Sequence, residues 1–359
     1  MTRLTVLGGG NTAFSMAAQL ALDGYEVLIW EHPDFASSIA PLRNTLSITL
    51  NDQSGSRLAQ ISHVTTDPAE ALAWSDTLLC SVPSYAHAPF AELIVPHLRP
   101  GHLLTLLPGN LGSLAFAQDI AAAGITGVIV CESDTAPYVC RKTAPSEATI
   151  WGSVSGLGIG VHPSSQTSEV VPYLESLFPG VRAHPNVLAA GLSAMNPVVH
   201  PPGVLLNAGR IERSRGDFYF YEEGVTPAVA QVIEALDAER LAIGRAYDLH
   251  LLPVADAFHA AGFGPAGDLW SVINGSRMLT ALKAPGSLET RWLSEDVPYG
   301  LLPWSELAGL AGVPTPVIDA LVTLTSALTG IDFRSRARSL ADCGLGNADR
   351  SAVLRLLEQ

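Results

Sequence analysis

Lysine is almost missing from this chain of 359 residues; its cations number 20, and only Lys142 and Lys283 among them are lysines. Neither lies in a cluster of acid/base residues, which disfavours a lysine-centred proton-transfer site. Against 34 carboxylates the few cations leave a formal net charge of -14. Nucleic acid is not an expected partner, because phosphate binding needs clustered cations and no cluster is present. Cysteine is equally scarce. Cys80, Cys131, Cys140 and Cys343 have no metal-ligand spacing and are too sparse for a disulfide framework, so no metal is expected. No apolar run reaches the roughly 20 residues that cross a bilayer, and the first residues carry no secretion-signal pattern. A cytoplasmic protein with no membrane partner is the expectation. What the chain does have is apolar mass: 48% hydrophobic and only 15% charged residues, at a length that favours two cores over one.

The amino terminus carries the first motif. Leu4-Thr5-Val6-Leu7 reads as a strand, Gly8-Gly9-Gly10-Asn11-Thr12-Ala13 as a turn, and Phe14 to Leu22 as a helix ended by Asp23-Gly24. A second strand, Glu26 to Trp30, runs into Glu31. This is Gly-x-Gly-x-x-Ala in a strand–turn–helix–strand setting. Gly8 permits the tight turn, Gly10 lets backbone amides approach a pyrophosphate at the helix N-terminus, and Ala13 allows close packing of helix on strand. Asn11 and Thr12 fall in the same cofactor-binding turn. Glu31, 23 positions after Gly8, is placed to accept hydrogen bonds from an adenosine ribose. A carboxylate there repels a 2′-phosphate, and His32-Pro33-Asp34 supplies no lysine or arginine to offset it. NAD (NADH) is therefore favoured over NADP.

Further strand-like runs follow at Ile61–Thr65, Thr77–Val82, Leu103–Leu107 and Val128–Glu132, with helical or turn segments between them. Such alternation predicts an α/β, Rossmann-type, doubly wound parallel sheet, in which ligands lie beyond the carboxyl ends of the strands. Val82-Pro83-Ser84, Pro108-Gly109-Asn110 and Glu132-Ser133-Asp134-Thr135 end three of these runs and line that rim, Val82, Pro83 and Ser84 toward the cofactor and Asn110 toward the substrate. Residues 152–161 read as a glycine-rich strand closing the sheet. From about residue 187 the pattern turns helical, as in Val229–Ile243, whose acids and Arg240 read as a solvated face. The expected organisation is a cofactor domain over 1–186 and an all-helical second domain over 187–359.

Two constellations in the helical half carry chemistry. Asn196-Pro-Val-Val-His200-Pro201-Pro202 sets a carboxamide and an imidazole four apart, on one face if helical. The two prolines predict a break in the helix beside His200. An imidazole beside a carboxamide suits proton transfer near neutral pH, although a hydrogen-bonded core histidine reads equally from these residues alone. Farther on, Thr290-Arg291-Trp292-Leu293-Ser294-Glu295-Asp296 holds Arg291 and Asp296 five apart, converging only if a turn intervenes. A guanidinium grips a carboxylate through two hydrogen bonds, and a carboxylate fixes a histidine tautomer. Asp217 to Glu223, rich in aromatics and acids, reads first as an exposed acidic loop and second as the lining of a pocket.

Gly8-Gly9-Gly10-Asn11, Glu132 to Arg141, Met195 to Pro201 and Arg291 to Val297 together resemble the opine dehydrogenases, over nearly the whole chain and in the same order. The resemblance implies reductive condensation: the amine of an amino acid and a 2-oxo acid such as pyruvate form an imine, which a nicotinamide hydride reduces. It further implies His200 as acid/base, Asp296 as its partner, Arg291 as carboxylate anchor, and Asn196, Asn110, Tyr138 and Cys140 at the substrate. Amino acid and 2-oxo acid are then the partners, with a homo-oligomer compatible. A dehydrogenase of 2-hydroxy acids using the same three residues is the alternative enzyme, and an NAD-sensing regulator the alternative outside catalysis. The near-absence of lysine sets apart ketopantoate reductase and its two-domain relatives, which use a lysine from the second domain.

Overall fold

A computed structural model describes residues 2–346 and 348–358. The chain divides into two compact units, the first ending at Val187 and the second running from Leu188.

Among the described residues the strands of the first unit form two sheets. The larger has the order β12-β11-β8-β7-β6-β1-β2-β5, where β1 is Arg3–Leu7, β2 Glu26–Trp30, β5 His63–Thr65, β6 Thr77–Cys80, β7 Leu103–Leu106, β8 Ile129–Ser133, β11 Gly158–His162 and β12 Arg182–Ala183. Its central strands are buried over most of their length, as expected of a parallel sheet covered on both faces. From β1 the chain moves to β2 on one side and later to β6 on the other, so order reverses between β1 and β6. Crevices of open α/β sheets form at such switch points. The sheet is parallel from β5 to β8, then turns antiparallel where β11 meets β8.

A second sheet, β4-β3-β10-β9, was not expected from sequence. It joins β3 (Ser47–Asp52), β4 (Gly55–Gln60), β9 (Tyr138–Ala144) and β10 (Glu147–Ser153). The glycine-rich stretch 152–161, expected as one strand, is split: it supplies the end of β10 in this sheet and most of β11 in the other, with residues 154–157 between. Helix α1, Asn11–Leu22, lies against this sheet, its Ala13, Phe14 and Ala17 sharing a core with Ile48, Leu50, Ala148 and Ile150. The opposite face of the main sheet has its own core around Leu28, Trp30, Leu78, Phe90 and Phe116.

The second unit is helical. Helix α2 (Asn196–Leu206) keeps Pro201 and Pro202 inside it, contrary to the break expected from sequence. The lost amides cost two helical hydrogen bonds, yet Pro197 to Val204 are all buried, and that packing holds the segment helical. Helix α3 (Pro227–Ala246) is capped by the Thr226 hydroxyl, which accepts from the Val229 amide. Its Asp237 and Arg240, expected at a solvated face, are buried. Arg240 donates to Asp237, to the Leu192 carbonyl and to the Leu252 carbonyl, while Asp237 also accepts from the Val254 amide. Buried charges persist only when paired and hydrogen-bonded, and here one pair ties three segments.

Candidate active site

In the first unit the glycine turn is shaped by its neighbours. Gly8 has φ +116°, and a Cβ on it would come within 2.8 Å of Val82 Cγ1, so no other residue fits. A Cβ on Gly9 would run into Ser38 Oγ and Glu31 Oε2. Above Gly10 there is open space, and the N-terminus of α1 behind it has no side-chain cap. An uncapped helix start facing open space is an anion cradle, so these residues fit a dinucleotide pyrophosphate. The side chains of Asn11 and Thr12 point elsewhere. Asn11 Oδ1 accepts from the Lys142 backbone amide at 3.0 Å, and Thr12 Oγ1 lies 3.9 Å from Cys140 Sγ. That leaves their backbone N–H groups as what they could offer an anion.

Glu31 is buried at the end of β2, accepting from the His32 amide (2.9 Å) and the Ser38 hydroxyl (3.0 Å). Burial pushes its carboxyl above the ordinary range, against the lowering effect of the His32 amide and the Ser38 hydroxyl. On the rim, Asn110 Nδ2 donates to Ser84 Oγ at 2.9 Å, tying the turn after β7 to the turn after β6. Asn110 and Leu111 both adopt left-handed backbone, φ 49° and 64°, and such non-glycine strain needs outside support. Glu132 gives it by accepting from Leu111 N, Ser113 N and Ser113 Oγ. Glu132 is thus a buried clasp rather than a rim residue. Asp134 is likewise engaged, accepting from Gly158 N and bonded to His184.

Tyr138 and Cys140, expected at the substrate, pack along α1 instead. Alternate residues of β9 face the helix: Cys140 lies by Thr12, and Lys142 lies over the Phe14 ring. Tyr138 lines a cavity of about 450 Å³ with Asp23 and Trp151. Asp23 closes the far end of α1, roughly 18 Å from the glycine turn at 1.5 Å per residue. Burial raises the Cys140 thiol above its ordinary range, against the lowering effect of the Ser15 and Thr12 hydroxyls.

In the second unit His200 is 8% exposed on α2. Its Nδ1 lies 2.8 Å from Asp296 Oδ2 and its Nε2 lies 3.2 Å from the Tyr221 hydroxyl. The imidazole stacks on Trp292 with centroids 4.4 Å apart and planes at 9°, and Phe220 meets the same indole edge-on at 4.6 Å. Burial raises the Asp296 carboxyl, a shift opposed by His200. An Nδ1–H donated to Asp296 leaves Nε2 against the Tyr221 hydroxyl, a geometry that suits proton transfer at Nε2.

Asn196 begins α2 one turn before His200 and is exposed. Arg291 pairs with Glu295, while its charge also acts on Asp296. Its Nε and Nη2 donate to Glu295 Oε2 at 2.9 and 2.6 Å, four residues on, with the guanidinium side chain 58% exposed and Asp296 turned toward His200. The segment expected as an exposed acidic loop instead buries Phe218, Phe220 and Tyr221. Trp292 is the site neighbour that sequence reasoning missed; Tyr221 belongs to the segment whose pocket-lining reading stood second, and the aromatic alternation Phe218-Tyr219-Phe220-Tyr221 was its signal.

A dinucleotide-type sheet in one unit and a buried His–Asp pair in a helical unit define a nicotinamide-dependent dehydrogenase. Two family models match: NAD/NADP octopine/nopaline dehydrogenase, alpha-helical domain, over residues 183–329, and NADP oxidoreductase coenzyme F420-dependent over residues 3–105. The chain is 33% identical over 358 residues to an opine dehydrogenase of Arthrobacter sp. (strain 1C), covering 98% of each. Among solved structures it is similar to octopine dehydrogenase with NADH and pyruvate (TM-score 0.78, 21% identity, covering 99% of this chain and 98% of that one). It is also similar to NADP+-bound yersinopine dehydrogenase (TM-score 0.76, 16% identity, covering 100% and 98%). The chain belongs to the opine dehydrogenase family. It is an NAD(P)-dependent oxidoreductase of the kind that condenses an amino acid's amine with a 2-oxo acid and reduces the resulting imine. Among the described residues no helix is long and apolar enough to cross a membrane.

Proposed function

We propose that the chain joins pyruvate, or a close 2-oxo acid, to the amine of an amino acid, using NADH in preference to NADPH. The unit through residue 186 serves as the cofactor domain and the remainder as the substrate domain. When bound, the nicotinamide supplies hydride to the imine carbon. The protein's own residues bind, orient and move one proton. His200 protonates the imine nitrogen through Nε2, or withdraws that proton in the reverse direction. Asp296 holds the imidazole in the Nδ1–H tautomer, and Tyr221 holds Nε2 in hydrogen-bond contact until a substrate nitrogen replaces it. Arg291 anchors the 2-oxo acid's carboxylate, and Asn196 and Asn110 contribute amides to the substrate. Gly8, Gly10, Asn11, Thr12 and Ala13 carry the pyrophosphate, Val82, Pro83 and Ser84 the neighbouring rim, and Glu31 the ribose.

The single observation that carries this reading is the His200–Asp296 bond at 2.8 Å, buried and capped by an indole. It is checked by following NADH oxidation with pyruvate and other 2-oxo acids, each with and without a panel of amino acids. Turnover should require both components. Equal turnover with the 2-oxo acid alone would make the chain a hydroxy-acid dehydrogenase, and none with any pair would leave only cofactor sensing.

A further inference from the structure

We propose that Lys142 is a specificity-determining residue of the dinucleotide site, the cation that lets a ribose 2′-phosphate be tolerated beside Glu31. The inference rests on the reading that the glycine turn holds a nicotinamide dinucleotide, and deepens it. Directly after Glu31, His32-Pro33-Asp34 offers no lysine or arginine. The fold supplies one from more than a hundred residues away. Lys142 Nζ donates to the Ser38 carbonyl at 2.6 Å, and the hydroxyl of that same Ser38 donates to Glu31 Oε2 at 3.0 Å. One residue therefore spans the carboxylate and the ammonium. The group lies on the glycine turn itself, since Glu31 and Ser38 are the atoms a Cβ on Gly9 would strike.

The ammonium is held in place. Its nitrogen sits 3.4 Å from the Phe14 ring centroid, and its backbone amide is fixed by Asn11 Oδ1, so Lys142 is tied twice to the first turns of α1. Its hydrogen-bond acceptor is a neutral carbonyl. A half-buried cation with no carboxylate in direct contact is only partly compensated, and burial lowers its proton affinity to about 8 while Glu31 works in the other direction. An incoming phosphate would complete that compensation with charge-assisted hydrogen bonds. Glu31 serves a 2′-hydroxyl and Lys142 serves a 2′-phosphate. The pair leaves the pocket close to neutral, so that NADH is preferred but NADPH is not shut out.

The test is equilibrium binding of NADH and NADPH to the full chain at pH 7 without substrate, read by energy transfer from protein tryptophan to the dihydronicotinamide. Lys142→Met should weaken NADPH on the order of tenfold or more and change NADH by less than about threefold. Lys142→Arg should retain most of the NADPH affinity. Lys142→Gln, which keeps a donor toward Ser38, replaces the methionine variant if that one does not fold. An unchanged ratio of the two affinities in the neutral variant overturns the role of Lys142 alone. Failure of the unaltered chain to bind either dinucleotide overturns the underlying reading instead.

Discussion

At the scale of single residues the site separates catalytic strength from stability. Asp296 is buried with its carboxyl raised, so its folded value lies above its unfolded one. Such a group costs nothing while protonated in acid. Its ionised form becomes a burden as pH rises past the ordinary carboxyl range toward the folded value. Asp296→Asn should therefore lose about 10²–10⁴-fold in turnover while its thermal midpoint relative to the parent improves from pH 4 to pH 8. A midpoint that instead falls steadily as pH rises would mean that the charge is stabilising. His200→Ala should lose a similar amount of turnover and still bind NADH, measurable by the same fluorescence; near-normal activity would return His200 to the core. Arg291→Lys keeps the charge and loses the planar fork, so the KM for the 2-oxo acid should rise at least severalfold with NADH affinity spared. Wild-type behaviour with every 2-oxo acid would make Arg291 a structural partner of Glu295.

Elements show which parts of this arrangement sequence could reveal. The glycine turn, Glu31 and the His200 segment could be singled out from sequence because each depends on local spacing. The Pro201-Pro202 pair was misread because tertiary packing, absent from any local rule, keeps α2 helical. The second sheet was missed since β4 carries Ser56, Arg57 and Gln60 and shows only Ala59 buried, so its apolar signal is thin. The pocket-lining reading of Tyr221 stood second because its burial depends on a close approach elsewhere. Gly203 on α2 gives that approach: a Cβ there would come within 2.5 Å of Phe220 Cζ, and Phe220 in turn braces Trp292 against the imidazole. Gly203→Ala should thus cost about 1–3 kcal/mol by overpacking and lower turnover through the displaced indole. Chemical denaturation and steady-state rates measure the two effects. Unchanged values for both would show that Phe220 yields freely.

Across the whole molecule, each of the two compact units buries apolar side chains of its own. Saturation with a ligand at a hundredfold its dissociation constant stabilises a fold by about 2.7 kcal/mol. NADH should accordingly slow hydrogen exchange at residues 8–14, 31–38 and 140–143 of the full chain. If those segments exchange at the same rate with and without NADH, the dinucleotide does not sit on the glycine turn. The scarcity of lysine then acquires a practical meaning. Side-chain amines give the molecule two chemical addresses, one in each unit, and the two differ in opposite directions: burial makes Lys142 the weaker base, whereas the hydrogen bond to Asp217 makes Lys283 the stronger one. Near pH 8 a larger share of the Lys142 amine than of the Lys283 amine is uncharged and nucleophilic, so a mild acylating label should favour the first unit.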